Sequence, residues 1–255
     1  MTNGEMLRVA MRQSAMESGC EPEDFRKDEN KVVISRAHPQ ARKYLTLPFF
    51  CDLTSYGHSV VASVDESMRE VVSDYLDKYS AAHCFETPNL HVLNDECQRH
   101  GMRICFMAEY FLPDAEALAM PSCAYAMRVL LPEAFAALYV PEWSNALCEA
   151  RRQLDVLAVG AYDGEKLIGL AGCSADCDEM WQIGVDVLPA YRNRGIASAL
   201  TNRLAREIME RGKVPFYCCA WSNIGSVRNA IRSGFRPAWV QMTAKSAAFV
   251  DEMNR

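Results

Sequence analysis

Apolar residues recur at two different periods along this chain. In residues 195–211, Ala197, Leu200, Leu204 and Ile208 return every three or four positions, the spacing that lines one face of an α-helix, and Gly212 ends the run. Around it lie apolar runs of strand length at 156–161, 166–173, 181–188, 215–221 and 235–242. Asp163-Gly164 separates the first two, and this dipeptide suits a tight hairpin turn because both turn positions need positive φ. A short strand at 127–131, helical stretches at 133–139 and 145–153, and a helix at 225–233 complete the order β-α-α-β-β-β-α-β-α-β.

Upstream the pattern predicts a helix at 4–18, a strand at 31–35, and two further strands at 48–53 and 59–64. Asp65 is placed to cap a helix reaching about Tyr79, with Glu66 and Glu70 near its positive end. Pro88 at a first-turn position opens another helix to His100, Gly101 stops it, and 104–110 reads as a buried strand. Between Leu112 and Pro132 three prolines, Pro113, Pro121 and Pro132, interrupt any long helix. The chain therefore divides near residue 120 into a smaller N-terminal α/β domain, 1–120, and a second α/β domain, 121–255.

The balance of 50% hydrophobic and 24% charged residues is that of a globular protein with enough core to fold alone. No apolar run reaches the ~18 residues a membrane helix needs, so no membrane association is expected. The first residues lack a basic-then-apolar export signal. Eleven cysteines without such a signal read as reduced thiols, and a cytoplasmic location is the expectation. Cys218 and Cys219 are adjacent on a strand and point to opposite faces, so they are poorly placed to share a metal, and no metal site is expected.

The net charge of −6 is uneven: residues 1–120 carry 12 Lys/Arg against 19 Asp/Glu, and residues 121–255 carry 15 against 14. An acidic chain is a poor nucleic-acid binder, because phosphate neutralisation needs a basic face. All five histidines lie before residue 101, so a site built from the second domain works without imidazole.

Chemistry concentrates in Val187-Leu188-Pro189-Ala190-Tyr191-Arg192-Asn193-Arg194-Gly195-Ile196-Ala197. A strand ends there, the chain turns tightly, and an amphipathic helix begins. The first amides of such a helix have no intrahelical partner, and the helix dipole adds positive potential, which together cradle a phosphate or pyrophosphate. Gly195 and Ala197 keep bulk away from an approaching ligand, and Arg192 and Arg194 add charge. One glycine is too few for a dinucleotide fingerprint, and no Gly-Lys-Ser/Thr follows as a Walker loop would require.

The run Arg192-Asn193-Arg194-Gly195-Ile196-Ala197 resembles the Arg/Gln-x-x-Gly-x-Gly/Ala signature of the GNAT superfamily of N-acetyltransferases. Asn223-Ile224-Gly225-Ser226 with Gly234-Phe235 is similar to the Asn-x-x-Ser…Gly-Phe pattern of its ribosomal-protein-acetylating branch. The resemblance covers about residues 122–243 and implies an α/β fold with a mixed central sheet flanked by helices there. It implies acetyl transfer from acetyl-CoA to a primary amine, on a small molecule or a peptide, by direct attack. By the same resemblance the pyrophosphate sits on the backbone of Arg192, Asn193, Arg194, Gly195, Ile196 and Ala197. The pantetheine arm runs between strands ending at Leu188 and Trp221 that part after Pro189, bonded by backbone groups of Val187 and Leu188, by Asn223 and by Ser226. Asn223 and Ser226 equally suit a helix cap.

A protonated amine must lose a proton before it attacks, and Asp186 and Glu179 are the nearby carboxylates. Trp181 stands where many members of the superfamily carry a catalytic Glu. Ala230 stands where many carry a Tyr that protonates the leaving thiolate, and Tyr217 is a substitute from the neighbouring strand. The acidity of residues 1–120 suits a cationic acceptor such as a polyamine, an aminoglycoside or a Lys side chain. The alternative from another class is a non-catalytic acyl-CoA-binding regulatory module. An aminoacyl transferase with two such units fits less well, because no second Arg-x-x-Gly-x-Ala occurs in the first half.

Overall fold

Ten strands and six α-helices follow one another in a computed structural model that describes residues 1–119 and 121–255. In chain order they are α1 (Asn3–Ser18), β1 (Lys31–Ile34), β2 (Cys51–Ser55), β3 (Val60–Val64), α2 (Arg69–Lys78), α3 (Thr87–Arg99), β4 (Met102–Pro113) and β5 (Ala126–Leu130). They continue with β6 (Asp155–Asp163), β7 (Lys166–Ser174), β8 (Met180–Val187), α4 (Ile196–Glu210), β9 (Val214–Ala220), α5 (Ile224–Arg232), β10 (Phe235–Ser246) and α6 (Ala247–Met253). No helix among the described residues is long and apolar enough to cross a membrane.

Two compact units emerge. One comprises Met1–Val9 with Phe111–Pro237, the other Ala10–Tyr110 with Ala238–Arg255. This differs from a cut near residue 120: the last 18 residues join the unit built by 10–110, because β10 pairs with β2 from Val240↔Ser55 to Thr243↔Asp52.

In the unit formed by 10–110 and 238–255, β1 runs parallel to β3 and β2 lies antiparallel to both β3 and β10. Strand alternation sorts the faces of β2. Cys51 and Leu53 enter a core with Val60, Ala62, Val64, Val72, Leu93 and Met242. Asp52 and Thr54 point the other way and meet their cross-strand partners Thr243 and Gln241. Asp52 is fully buried, and burial pushes its carboxyl up to about 6 despite those hydrogen bonds and the nearby Arg42. Arg42 itself is buried on Glu17, with a contact of 2.6 Å, and also donates to Gln241 Oε1 at 3.0 Å.

In the other unit β5, β6, β7 and β8 are antiparallel neighbours, and β9 joins β8 in parallel. Helix α4 packs Ile196, Leu200, Leu204 and Ile208 onto one sheet face against Leu157, Val159, Ile168 and Ile183. The opposite face is covered differently from the helices expected at 133–139 and 145–153. Short 3₁₀ turns at Pro132–Ala134, Ala136–Leu138, Pro141–Trp143 and Glu149–Leu154 carry Phe135, Trp143 and Leu147 onto Ala158 and Leu170. Pro132 and Pro141 lack the amide hydrogen that a continuing helix needs, and so few residues between them favour single turns.

Candidate functional site

The strand pair β8–β9 opens earlier than Pro189. Its parallel register runs from Met180↔Val214 to Ile183↔Tyr217, whereas β8 continues to Val187 and β9 to Ala220. From Gly184 onward β8 is paired only with β7, so a gap opens along its other edge. In an antiparallel pair the N–H and C=O of one residue point to the same neighbour, and alternate residues point oppositely. The Leu188 amide donates to Ile168 O on the β7 side at 3.0 Å, so Val187 and Val185 direct their backbone groups into the gap. This corrects the expectation for Leu188: its N–H is already committed, and it does not line the cavity described next. Val185 takes the place beside Val187.

A cavity of about 680 Å³ fills this gap and extends to the start of α4 and along α5. Its size lies within the range of small-molecule sites. At one end are Arg192, Asn193, Gly195, Ile196, Ala197 and Ser198. Gly195 is the N-cap of α4 with φ +77°, a left-handed conformation, and no side chain caps the helix. The first intrahelical bond is made by Ala199 N–H to Gly195 O at 3.1 Å, which leaves the amides of Ile196, Ala197 and Ser198 ahead of the ladder. A Cβ at Gly195 would meet nothing within 4 Å, so glycine is required there by backbone conformation, not by a crowded neighbour. Arg192 Nε donates to Val187 O at 3.1 Å, which ties the loop to the end of β8.

Arg194 does not line the cavity. Its Nη1 donates to Tyr125 Oη at 2.9 Å, and its guanidinium lies 5.4 Å from the Tyr191 ring centre. That arginine anchors the turn to Tyr125 and Tyr191 rather than walling the cavity, which corrects the expectation that it binds the cofactor.

Asn223 caps α5 by accepting the Ser226 amide at 3.2 Å, and both residues also line the cavity. Further along, Ser198 donates to Asn229 Oδ1 at 3.1 Å, and Asn229 Nδ2 donates to Thr201 Oγ1 at 3.1 Å. These bonds lock the start of α4 against α5.

Two faces of the sheet meet in this one space. Val185, Val187 and Tyr217 belong to the α4 face, and Asp186 and Asn145 to the other, so the cavity passes through the gap between the strands. Tyr217 is buried between Phe111 and Phe235. Burial raises its phenol above the ordinary range, and the side chains of Ser226 and Asn229 oppose that rise.

Asp186 accepts three hydrogen bonds, from Asn145 N at 2.8 Å, Asn145 Nδ2 at 2.7 Å and Ala146 N at 3.0 Å. Beneath that segment Gly172 and Gly184 are direct cross-strand partners. A Cβ on Gly184 would sit 1.8 Å from Asn145 O, and one on Gly172 would sit 2.1 Å from Ala146 O. The paired glycines form a trough in which the backbone of 145–146 lies, and Asp186 clamps it at the cavity rim. Glu179 does not line the cavity; its carbonyl accepts the Val214 amide at 2.8 Å.

Sequence reasoning missed Asn145, Val185, Tyr191, Ser198, Arg228, Asn229 and Arg232 in the wall. Val185 was discoverable from strand alternation with Val187. Asn145 carried no local signal, since a glycine pair far along the chain brings it there. No cluster of three His, Cys, Asp or Glu side chains among the described residues is arranged to hold a metal ion.

Residues 124–235 match the model of the family described as Acetyltransferase (GNAT) family. Among solved structures, the GCN5-related N-acetyltransferase-like protein of Streptococcus suis is 19% identical, with a TM-score of 0.45 over 63% of this chain and 68% of that one. The GCN5-related N-acetyltransferase of Kribbella flavida is 19% identical, with a TM-score of 0.44 over 63% and 65%. The yncA protein of Salmonella typhimurium, solved with its cofactor acetyl-CoA, is 17% identical, with a TM-score of 0.37 over 49% of this chain and 95% of that one. No curated protein matches.

Proposed function

We propose that this chain, whose residues 124–235 are a GNAT-family acetyltransferase domain, transfers an acetyl group from acetyl-CoA directly to a primary amine. The observation that carries this reading is the cavity's continuity from the uncapped start of α4, past the free strand edge of β8, to the far face of the sheet. Each stretch suits one part of an acyl-CoA. Unpaired helix amides with Arg192 suit the diphosphate. The backbone groups of Val185 and the amide of Val187, whose carbonyl already accepts from Arg192, suit the amide-bearing arm, as an added strand would. Asn223 and Ser226 face the same arm from the opposite wall.

Acetyl-CoA supplies the acyl group as a thioester. As the amine's lone pair forms the new C–N bond at the carbonyl carbon, the C–S bond breaks and its electron pair leaves on sulfur. The Val187 amide is available to hydrogen-bond the carbonyl oxygen as it gains charge. Tyr217, kept protonated by its burial, donates its phenolic proton to the departing sulfur and regains one from solvent. The amine's surplus proton passes to water. Asp186 acts in this reading as a positioning residue: its oxygens hold the Asn145–Ala146 segment, which walls the side from which the amine enters.

The test is release of free thiol from acetyl-CoA over a panel of small-molecule and peptide amines. Amine-dependent release with stoichiometric acetylated amine is the expected result. Tight acetyl-CoA binding with no release for any amine would overturn the transferase reading and leave a binding module.

A further inference from the structure

Helix α5 turns one stripe toward the cavity: Gly225, Arg228, Asn229 and Arg232, spaced i, i+3, i+4 and i+7. Asn229 is buried and bonded to α4, while the two arginines flanking it are exposed. Neither forms an ion pair with a carboxylate among the described residues, in contrast to Arg203 and Arg211, which share Glu207. The lining holds three arginines, Arg192, Arg228 and Arg232, and a single carboxylate, Asp186, whose oxygens already accept three bonds.

The cradle at the start of α4, with Arg192, already matches a diphosphate. Two guanidiniums remain on a separate wall, offset by about 6 Å along the axis of α5, as four residues of helix dictate. A planar fork of donors matches a phosphate, and a pair of them matches the dianionic charge of a phosphomonoester. Coenzyme A carries one phosphomonoester, on its ribose 3′ oxygen.

We propose that Arg228 and Arg232 form the subsite for that 3′-phosphate and make the protein select coenzyme A over its 3′-dephospho form. The proposal rests on the acetyl-CoA reading above, and its test separates the two. Calorimetric titration with coenzyme A and with 3′-dephospho-coenzyme A is run on the wild-type protein, on Arg228→Gln/Arg232→Gln, on Arg228→Lys/Arg232→Lys, and on Arg236→Gln as an exposed arginine outside the cavity. Thermal melts of each verify folding.

The wild-type protein is expected to bind coenzyme A roughly tenfold or more tightly than the dephospho form, as charge-assisted bonds imply. The double Gln variant should bind both alike, with its affinity for the dephospho form within about twofold of wild type. The double Lys variant should retain part of the selection, because charge survives without the planar fork. Equal wild-type affinities for the two nucleotides would overturn the subsite while leaving acetyl-CoA binding intact. A double Gln variant weakened equally toward both would also overturn it, by assigning the arginines to the diphosphate. Absence of any coenzyme A binding would overturn the acetyl-CoA reading, and the subsite with it.

Discussion

Replacing Gly184 with Ala places a methyl carbon 1.8 Å from Asn145 O and 2.8 Å from its carbonyl carbon. Ordinary contact begins near 3.4 Å, so the 145–146 backbone must lift by roughly 1.6 Å. Such a lift stretches all three bonds to Asp186, which now measure 2.7, 2.8 and 3.0 Å. Overpacking costs ~1–3 kcal/mol, and loosening bonds to a half-exposed carboxylate adds about 1 kcal/mol. A total near 3 kcal/mol lowers the melting temperature by about 6–12 °C for a protein of this size. Asn145 lines the cavity on the side the proposed function assigns to the amine, so KM for the amine should rise while the dissociation constant for acetyl-CoA stays within about twofold of wild type. The assays are a thermal melt, steady-state kinetics with varied amine, and calorimetry with acetyl-CoA. A Gly184→Ala protein that melts within about 1 °C of wild type and keeps its amine KM would refute the seating of this segment in the glycine trough.

Three further substitutions probe separate parts of the molecule. Asp186→Asn loses acceptor capacity against three donors, and should raise the amine KM while leaving the shape of kcat/KM against pH unchanged; loss of the acidic limb would instead mark Asp186 as the base. Tyr217→Phe should lower kcat about tenfold or more with little change in acetyl-CoA affinity. Because burial raises the Tyr217 phenol, the wild-type rate should hold to higher pH than an ordinary tyrosine would allow, and an unchanged kcat in the Phe variant would remove it from the mechanism. In the other unit, the Asp52 carboxyl is pushed up to about 6 from an ordinary 3.8, so the folded chain holds this proton more tightly than the unfolded one. Its contribution therefore favours folding below about pH 4 and is lost as pH rises through about 6, by at most about 3 kcal/mol. Asp52→Asn should flatten the dependence of melting temperature on pH over that window, and an unaltered slope would count against the assignment.

The parts of this site that were legible in the sequence are those set by local chain chemistry. Pro189, Gly195 and the apolar stripe of α4 lie within a few residues of one another, so the end of β8 and the start of the helix could be placed from composition and period alone. Asn223 as a cap required only its position before α5. Leu188 entered with Val187 through the resemblance, yet adjacent strand residues direct their backbone groups to opposite neighbours, and which of the two faces β7 depends on pairing that the sequence does not display. The early opening at Ile183 and Tyr217 is likewise a property of two strands together. The clamp on Asn145 needs Gly172 and Gly184 to meet across a pair of strands, a tertiary event with no local mark. The return of 238–255 to the other unit was hidden because β10 reads as one continuous strand, although its pairing with β2 begins only near Val240.

Amide hydrogen exchange with and without acetyl-CoA tests the assignment of the acyl-CoA cavity most directly. The amides of Ile196, Ala197 and Ser198 precede the α4 ladder, and the edge of β8 at Val185 and Val187 has no strand beside it. Slowed exchange on acetyl-CoA addition at 193–198 and at 185–187, with little change in α2 or α3, is the expected pattern. Binding that leaves those amides exchanging at their free rates, or that protects another part of the chain instead, would contradict it.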